Sequence, residues 1–133
     1  MLQLETSYFK KNELSSCHQE DIRPGKLRVA TTNHIYYLDV KDIIRIQSIS
    51  NYSKLFFTSG QTLIVSKVLA WFDNLLTTGN FLRVHRTHLV NLQHLKQYIP
   101  GTVAMAALIN DEEVPVSRRK KRVLQQRMMA LSL

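Results

Sequence analysis

The sequence is short of most of what enzymes and secreted proteins rely on. Its 133 residues hold a single cysteine, Cys17, which excludes an intramolecular disulfide framework and suits a reducing cytoplasm. With only four glycines, no P-loop, dinucleotide glycine pattern, G-x-S-x-G elbow or H-E-x-x-H pair is present. Carboxylates are also scarce, ten against eighteen lysines and arginines. Beyond residue 25 the only adjacent carboxylates are Asp111, Glu112 and Glu113, inside a turn-like stretch, so little remains to bind Mg²⁺ or to orient a catalytic histidine. The chain therefore reads as a non-enzyme without a cofactor. No apolar run is long enough for a signal peptide or a membrane span, and a cytoplasmic protein with no membrane contact is expected.

What is present is a chain long enough for one domain with a real core, and 44% of its residues are hydrophobic, which argues against wholesale disorder. The formal charge is +8, and it is unevenly spread: −1 over residues 1–25, +3 over 26–79 and +6 over 80–133. A basic bias that grows along the chain suits a surface facing a polyanion. A merely solvated surface would carry the same signature.

Residues 1–25 lack sustained periodicity, end at Arg23-Pro24-Gly25 and read as a leader; 26–133 form the domain. "KLRVATT" (26–32), "HIYYLDV" (34–40) and "DIIRIQS" (42–48) alternate as strands do, the last setting Ile44 and Ile46 on one face and Arg45 and Gln47 on the other. "KLFFT" and "QTLIV" flank a Ser59-Gly60 turn as a hairpin. In "SKVLAWFDNLL" (66–76) the apolar spacing switches to three and four, predicting a helix with Ser66 as its N-cap. "KQYI" and "TVAMAALI" then make a strand pair across Pro100-Gly101. "EVPV" is an edge strand, and Ser117 caps a basic helix, "RRKKRVLQQRMMALS". The expected fold is mainly β, with several small antiparallel sheets, one internal helix and a C-terminal helix.

The densest chemistry lies in "FLRVHRTHLVNLQHL" (81–95), which places His85, His88 and His94 among two arginines and an asparagine. A helix would bring His85 and His88 to one face. No thiolate or carboxylate is near to complete a metal site, and Arg83 and Arg86 put positive charge where a cation would sit. No metal is expected. Contact with a polymer fits better, because Asn51, Tyr52, Lys54, His85, Arg86, Arg118 and Arg119 all fall near element ends, where a rigid β scaffold presents recognition groups.

Three stretches in order, "IIRIQSISNYSKLFF", "FLRVHRTHLVNLQHL" and "VPVSRRKKRVL", closely resemble the LytTR-type DNA-binding domain of bacterial transcription regulators, over roughly residues 26–130. The resemblance implies small antiparallel sheets whose loops enter two successive major grooves of duplex DNA. It implies base contacts at Ser53 with Asn51, Tyr52 and Lys54, at Arg86 with His85, and at Arg118 with Arg119; Lys120 and Lys121 are placed to hold phosphates. Val84, Leu89, Val90, Leu92 and Leu95 are expected in the core, Asn91 and Thr87 as side chain-to-backbone braces, and His88 and His94 as structural groups. The partner is expected to be a promoter with repeated half-sites, met by a homodimer. Many relatives carry a phosphoacceptor receiver upstream; the 25 residues preceding Lys26 are too few for one, so either a stand-alone regulator or a piece of a longer one is expected. Two other readings remain: an RNA-binding β module stacking bases on Tyr36, Tyr37, Tyr52, Phe56 and Phe57, and a basic protein-interaction domain.

Overall fold

The computed structural model of the chain describes residues 21–77 and 79–131; most of the expected leader, including Cys17, lies outside them. Among the described residues, the alternating segments become eleven strands in three antiparallel sheets. The first sheet joins β1 (Ile22–Arg23), β2 (Lys26–Ala30) and β3 (Ile35–Asp39) in sequence order. The second contains β4 (Ile43–Ile49), β5 (Tyr52–Phe57), β6 (Thr62–Val65), β7 (Phe81–His85) and β8 (His88–Asn91), in the order β6-β5-β4-β8-β7. The third contains β9 (Leu95–Ile99), β10 (Ala104–Leu108) and β11 (Glu113–Val116), in the order β11-β10-β9. Helix α1 spans Leu69–Leu76, and α2 spans Lys121–Leu131 after a 3-10 turn at Arg118–Lys120. The β5–β6 turn has Gly60 at φ +89, a conformation open to glycine without a Cβ clash.

The five-stranded sheet lies in the middle because both of its faces are apolar. On one face Ile43, Ile46, Leu55 and Leu89 pack against Leu27 and Val29 of β2 and against Leu69, Trp71, Phe72, Leu75 and Leu76 of α1. On the other, Ile44, Leu82, Val84 and Val90 meet Ala104, Ala106, Leu108, Val114 and Val116 of the third sheet and Leu124 of α2. Val84, Leu89, Val90 and Leu92 are buried as expected, with Leu95 partly buried at the second core.

Three local expectations change. Ile44 and Ile46 do not share a face: the register shifts between Ile43 and Arg45, and the extra residue sends Ile44 into the second core while Ile46 enters the first. A bulge of this kind inverts the alternation that the strand pattern assumes. It also buries Arg45, 7% exposed. Secondly, Ser66 is not the cap of α1. Val68 holds that position without a side-chain cap bond, because the preceding segment runs on in extended form, Ser66 is buried, and the Lys67 carbonyl is tied to β5 by Ser53. Thirdly, Ser117 stands at the N-cap of the 3-10 turn but its side chain makes no cap bond. Its backbone N–H donates instead to the Val84 carbonyl at 2.8 Å, fixing the residue to the edge of β7.

Candidate nucleic-acid interface

The histidine-rich segment folds as a hairpin, not a helix. β7 and β8 pair with His85 opposite His88, their ring centroids 5.8 Å apart. A second bulge, between Arg83 and His85, turns consecutive side chains to new directions and leaves Val84 in the second core. The turn at Arg86-Thr87 is braced from three sides. Arg83 Nη2 donates to the Arg86 carbonyl at 2.6 Å. The Thr87 N–H donates to His85 Nδ1 at 3.2 Å, with Thr87 Oγ1 2.9 Å from the same nitrogen. The Ser48 N–H donates to the Thr87 carbonyl at 2.9 Å. A backbone N–H can only donate, so His85 Nδ1 accepts, and the neutral ring carries its proton on Nε2. Thr87 thus braces through the histidine rather than by a side chain-to-backbone bond of its own. Asn91 does bond the backbone, donating to the Ile43 carbonyl at 2.9 Å and accepting from the Gln93 N–H at 3.0 Å.

Strand pairing carries the β4–β5 turn to the same end of the sheet, since Gln47 of β4 faces both His88 of β8 and Lys54 of β5. The β4–β5 turn holds Ser50 at φ 56 and Asn51; a positive φ is what tight hairpin turns demand. Strand spacing of about 4.8 Å puts β5 and β7 roughly 14 Å apart across the sheet end. The Ser117–Val84 hydrogen bond delivers the third expected cluster to the outer edge of β7.

The expected residues divide accordingly. His85, Arg86, Arg119 and Lys120 come together with Arg83 and Ser117 around a cleft of about 410 Å³. Arg86 and Arg119 are exposed, as is Arg118 at the start of the 3-10 turn. Lys121 reaches the Gly101 carbonyl at 3.4 Å. Asn51, Tyr52 and Lys54 are half-buried across the sheet end, with Lys54 Nζ 5.2 Å from the Phe56 ring centroid. Ser53 is the exception. It is fully buried, and its hydroxyl donates to the Lys67 carbonyl at 2.6 Å. Alternation along β5 turns Ser53 inward with Leu55 while Lys54 faces the other way, so Ser53 holds the root of the turn instead of facing a base.

Arg45 and its partners were not singled out by the sequence, whereas His88 and His94 were expected as structural groups. Arg45, buried beside the second core, donates from Nε to Glu112 Oε1 at 3.0 Å and from Nη1 to Gln47 Oε1 at 2.8 Å, and its guanidinium lies 3.7 Å from the Phe56 ring centroid. Burial would raise the Glu112 carboxyl, but hydrogen bonds from Arg45 and Asn110 outweigh it and hold the group below the ordinary glutamate value. His88, its Nδ1 buried without a hydrogen-bond partner, is pushed down to about 4 by burial, by Arg45 and by His85. It is neutral near pH 7. His94 donates from Nε2 to the Lys41 carbonyl at 2.5 Å. Among the described residues, no group of three or more His, Cys, Asp or Glu side chains is placed to hold a metal, and no helix is long and apolar enough to cross a membrane. Of the rings that an RNA platform would use, Tyr36 and Phe57 pack against the first core and Phe56 lies under Arg45.

Comparison with known proteins bears on what this arrangement contacts. The family model for the LytTr DNA-binding domain matches residues 33–129. The heme-containing CO-sensing transcriptional regulator RcoM 1 of Paraburkholderia xenovorans is 32% identical over 98 residues, 71% of this chain and 36% of that protein. RcoM 2 of the same organism is 29% identical over the same length. The chain therefore spans little more than a third of these curated relatives. Among solved structures, a LytTr DNA-binding domain from Bacillus cereus superimposes with a TM-score of 0.66 at 22% identity, covering 78% of this chain and 96% of that one.

Proposed function

The chain belongs to the LytTr DNA-binding domain family, and from that premise we propose that it reads specific duplex sequences as part of a transcription regulator. The carrying observation is the end of the central sheet, where two hairpin turns and a basic 3-10 turn converge, with Arg83, His85, Arg86, Arg119 and Lys120 lining one cleft. Cations presented on fixed turns can neutralise phosphates and reach base edges together. Arg86, exposed at the tip of the best-braced turn, is the base reader, with His85 Nε2–H as a second donor. Arg118 and Arg119 read from the C-terminal side, Asn51, Tyr52 and Lys54 from the β4–β5 turn, and Lys120 and Lys121 hold phosphates. The turns enter the major groove, and two copies occupy repeated half-sites of a promoter in the cytoplasm.

The test is selection of bound sequences from a random duplex library, followed by binding at several salt concentrations. With about six phosphates neutralised, log K falls against log salt with a slope of roughly −5; a salt-independent affinity overturns the reading. Arg86→Ala is expected to lose about 1–3 kcal/mol at one base position and relax the preference there. Lys120→Ala is expected to weaken selected and random duplexes alike and to make the slope shallower by roughly one unit. A uniform loss in Arg86→Ala, with base preferences intact, removes Arg86 from the reading set.

A further inference from the structure

Arg83 has no place among the base readers or phosphate holders above, yet it sits where both meet. Its Nη2 grips the Arg86 carbonyl at 2.6 Å, so it acts on the backbone of the proposed base reader from inside the same hairpin. Its Nε is buried and without a hydrogen-bond partner, which shows that the root of the guanidinium is enclosed by protein rather than waving in solvent. The same side chain lines the cleft whose other walls are His85, Arg86, Ser117, Arg119 and Lys120. Those walls come from two elements far apart in sequence, joined at the Ser117–Val84 hydrogen bond. Four cations and a hydroxyl face the cleft, and no carboxylate lines it. The Ser117 hydroxyl makes no cap bond.

We infer that Arg83 is the positioning residue of the interface, linking the Arg86 backbone to a single DNA phosphate seated in the cleft between the β7–β8 turn and the Ser117–Lys120 turn. The inference rests on the duplex-reading function proposed above. A guanidinium carries five N–H donors in a planar fork; the Arg86 carbonyl occupies one, and others remain for a phosphate oxygen, the geometry that arginine serves and lysine does not. Lys120 closes on the same phosphate from the other side, and Arg119, besides its reading role, spends part of its guanidinium fork there as well. One backbone phosphate thereby registers both turns, so base reading at Arg86 depends on a contact that itself carries no sequence information.

The test is a methylphosphonate scan of the selected duplex, neutralising one phosphate at a time, with the wild type, Arg83→Lys and Arg119→Ala. In the wild type one position is expected to lose about tenfold in affinity, the scale of a charge-assisted hydrogen bond. That same position should become nearly silent in both variants. Arg83→Lys keeps the charge, so its salt slope should match the wild type, but its preference at the base pair read by Arg86 should relax, which Arg119→Ala does not reproduce. Thermal melts of each variant separate these effects from unfolding, and Arg119, being exposed, keeps the scan interpretable if Arg83→Lys melts early. Different phosphates silenced by the two variants, or an unchanged base preference in Arg83→Lys, overturn the inference. So does binding of inorganic phosphate alone at millimolar concentration with a Kd unaffected by competing duplex, which would make the cleft a free-anion site. A wild type with no preference among duplexes defeats the earlier reading; a selective wild type with an unaltered phosphate map in Arg83→Lys defeats this one alone.

Discussion

The two faces of the central sheet carry different work. One is covered by the first sheet and α1; it is mostly apolar, with buried Ser53 bonded to the Lys67 carbonyl toward the turn end. The other is covered by the third sheet and α2 over Ile44, Leu82, Val84 and Val90, but toward the turn end it carries a cross-strand row of Lys54, Gln47, His88 and His85. Arg45 and Glu112 stand at the border between the two territories. The first face is built mainly for stability. The second must stabilise and also deliver charged groups to one end, and it does so with buried or half-buried polar residues whose hydrogen bonds replace apolar contact.

The comparison predicts its largest effect on the first face. Phe72 is fully buried between α1 and the sheet, and α1 lies inside the chain between β6 and β7, so it cannot peel away. Phe72→Ala should destabilise by about 3–5 kcal/mol, the range for a large aromatic lost from a packed core. Urea unfolding measures this, and a loss under 1 kcal/mol would show that α1 is not the lid that covers this face. On the second face the matching position is Leu124, also fully buried. Leu124→Asp should cost about 2–3 kcal/mol, less than burying a carboxylate would suggest, because α2 follows the last strand and can undock locally. Hydrogen exchange should then show α2 amides opening while β4 and β8 stay protected. Arg119→Ala, in the same segment, should leave the melting temperature unchanged.

Much of this architecture was legible in the sequence, and the parts that were not share a cause. Alternation in "KLRVA" and "HIYYL" and the three-four spacing of "LAWFDNLL" reported real elements because each has one side packed against the core, only partly buried in the second case, and regular geometry. The resemblance carried by the R-V-H-R stretch located the β7–β8 turn. What escaped were the bulges at Ile44 and Val84, since one extra residue in a strand leaves no compositional mark while reversing which face each later side chain meets. The burial of Arg45 follows from the first bulge, and the switch of direction between Arg83 and His85 from the second. The inward turn of Ser53 was available from alternation with Leu55, but motif position outweighed it. The Arg45–Glu112 pair joins residues 67 apart in sequence, beyond the reach of any local pattern.

Arg45 tests the border directly. Arg45→Ala removes hydrogen bonds to Glu112 and Gln47 and uncovers the Phe56 ring. The Glu112 side chain is 41% exposed, so water can compensate part of the loss, and the expected destabilisation is about 2 kcal/mol, below the range for a fully buried pair. Glu112→Gln keeps an acceptor and should cost under about 1 kcal/mol. Equal losses in the two variants would mean that charge, rather than hydrogen bonding and ring cover, holds the border.

The smallest expected effect is a pH dependence, and it belongs to the second face alone. Burial, then Arg45 and His85, push His88 down to about 4 from an ordinary value of 6.5. The folded protein therefore resists protonating this ring, whereas the unfolded chain takes up the proton readily. Between about pH 6.5 and 4 the unfolded state binds more protons, so the stability gained from a neutral His88 is complete above that window and declines as the pH falls through it. The ring is only partly enclosed, and solvent screening reduces the expected loss between pH 7 and pH 5 to about 1 kcal/mol. His88→Gln removes the titration, keeps a polar side chain in the cross-strand row, and should flatten the fall over that interval. The Glu112 carboxyl, held low by Arg45 and Asn110, keeps its contribution at higher pH and gives it up only as the pH falls through its depressed value, so it remains in the mutant as an internal reference at the acid end. Urea titrations at pH 7, 6 and 5 on both proteins decide the matter: parallel curves would show that the proton uptake belongs to another group and that the second face is no more acid-sensitive than the first.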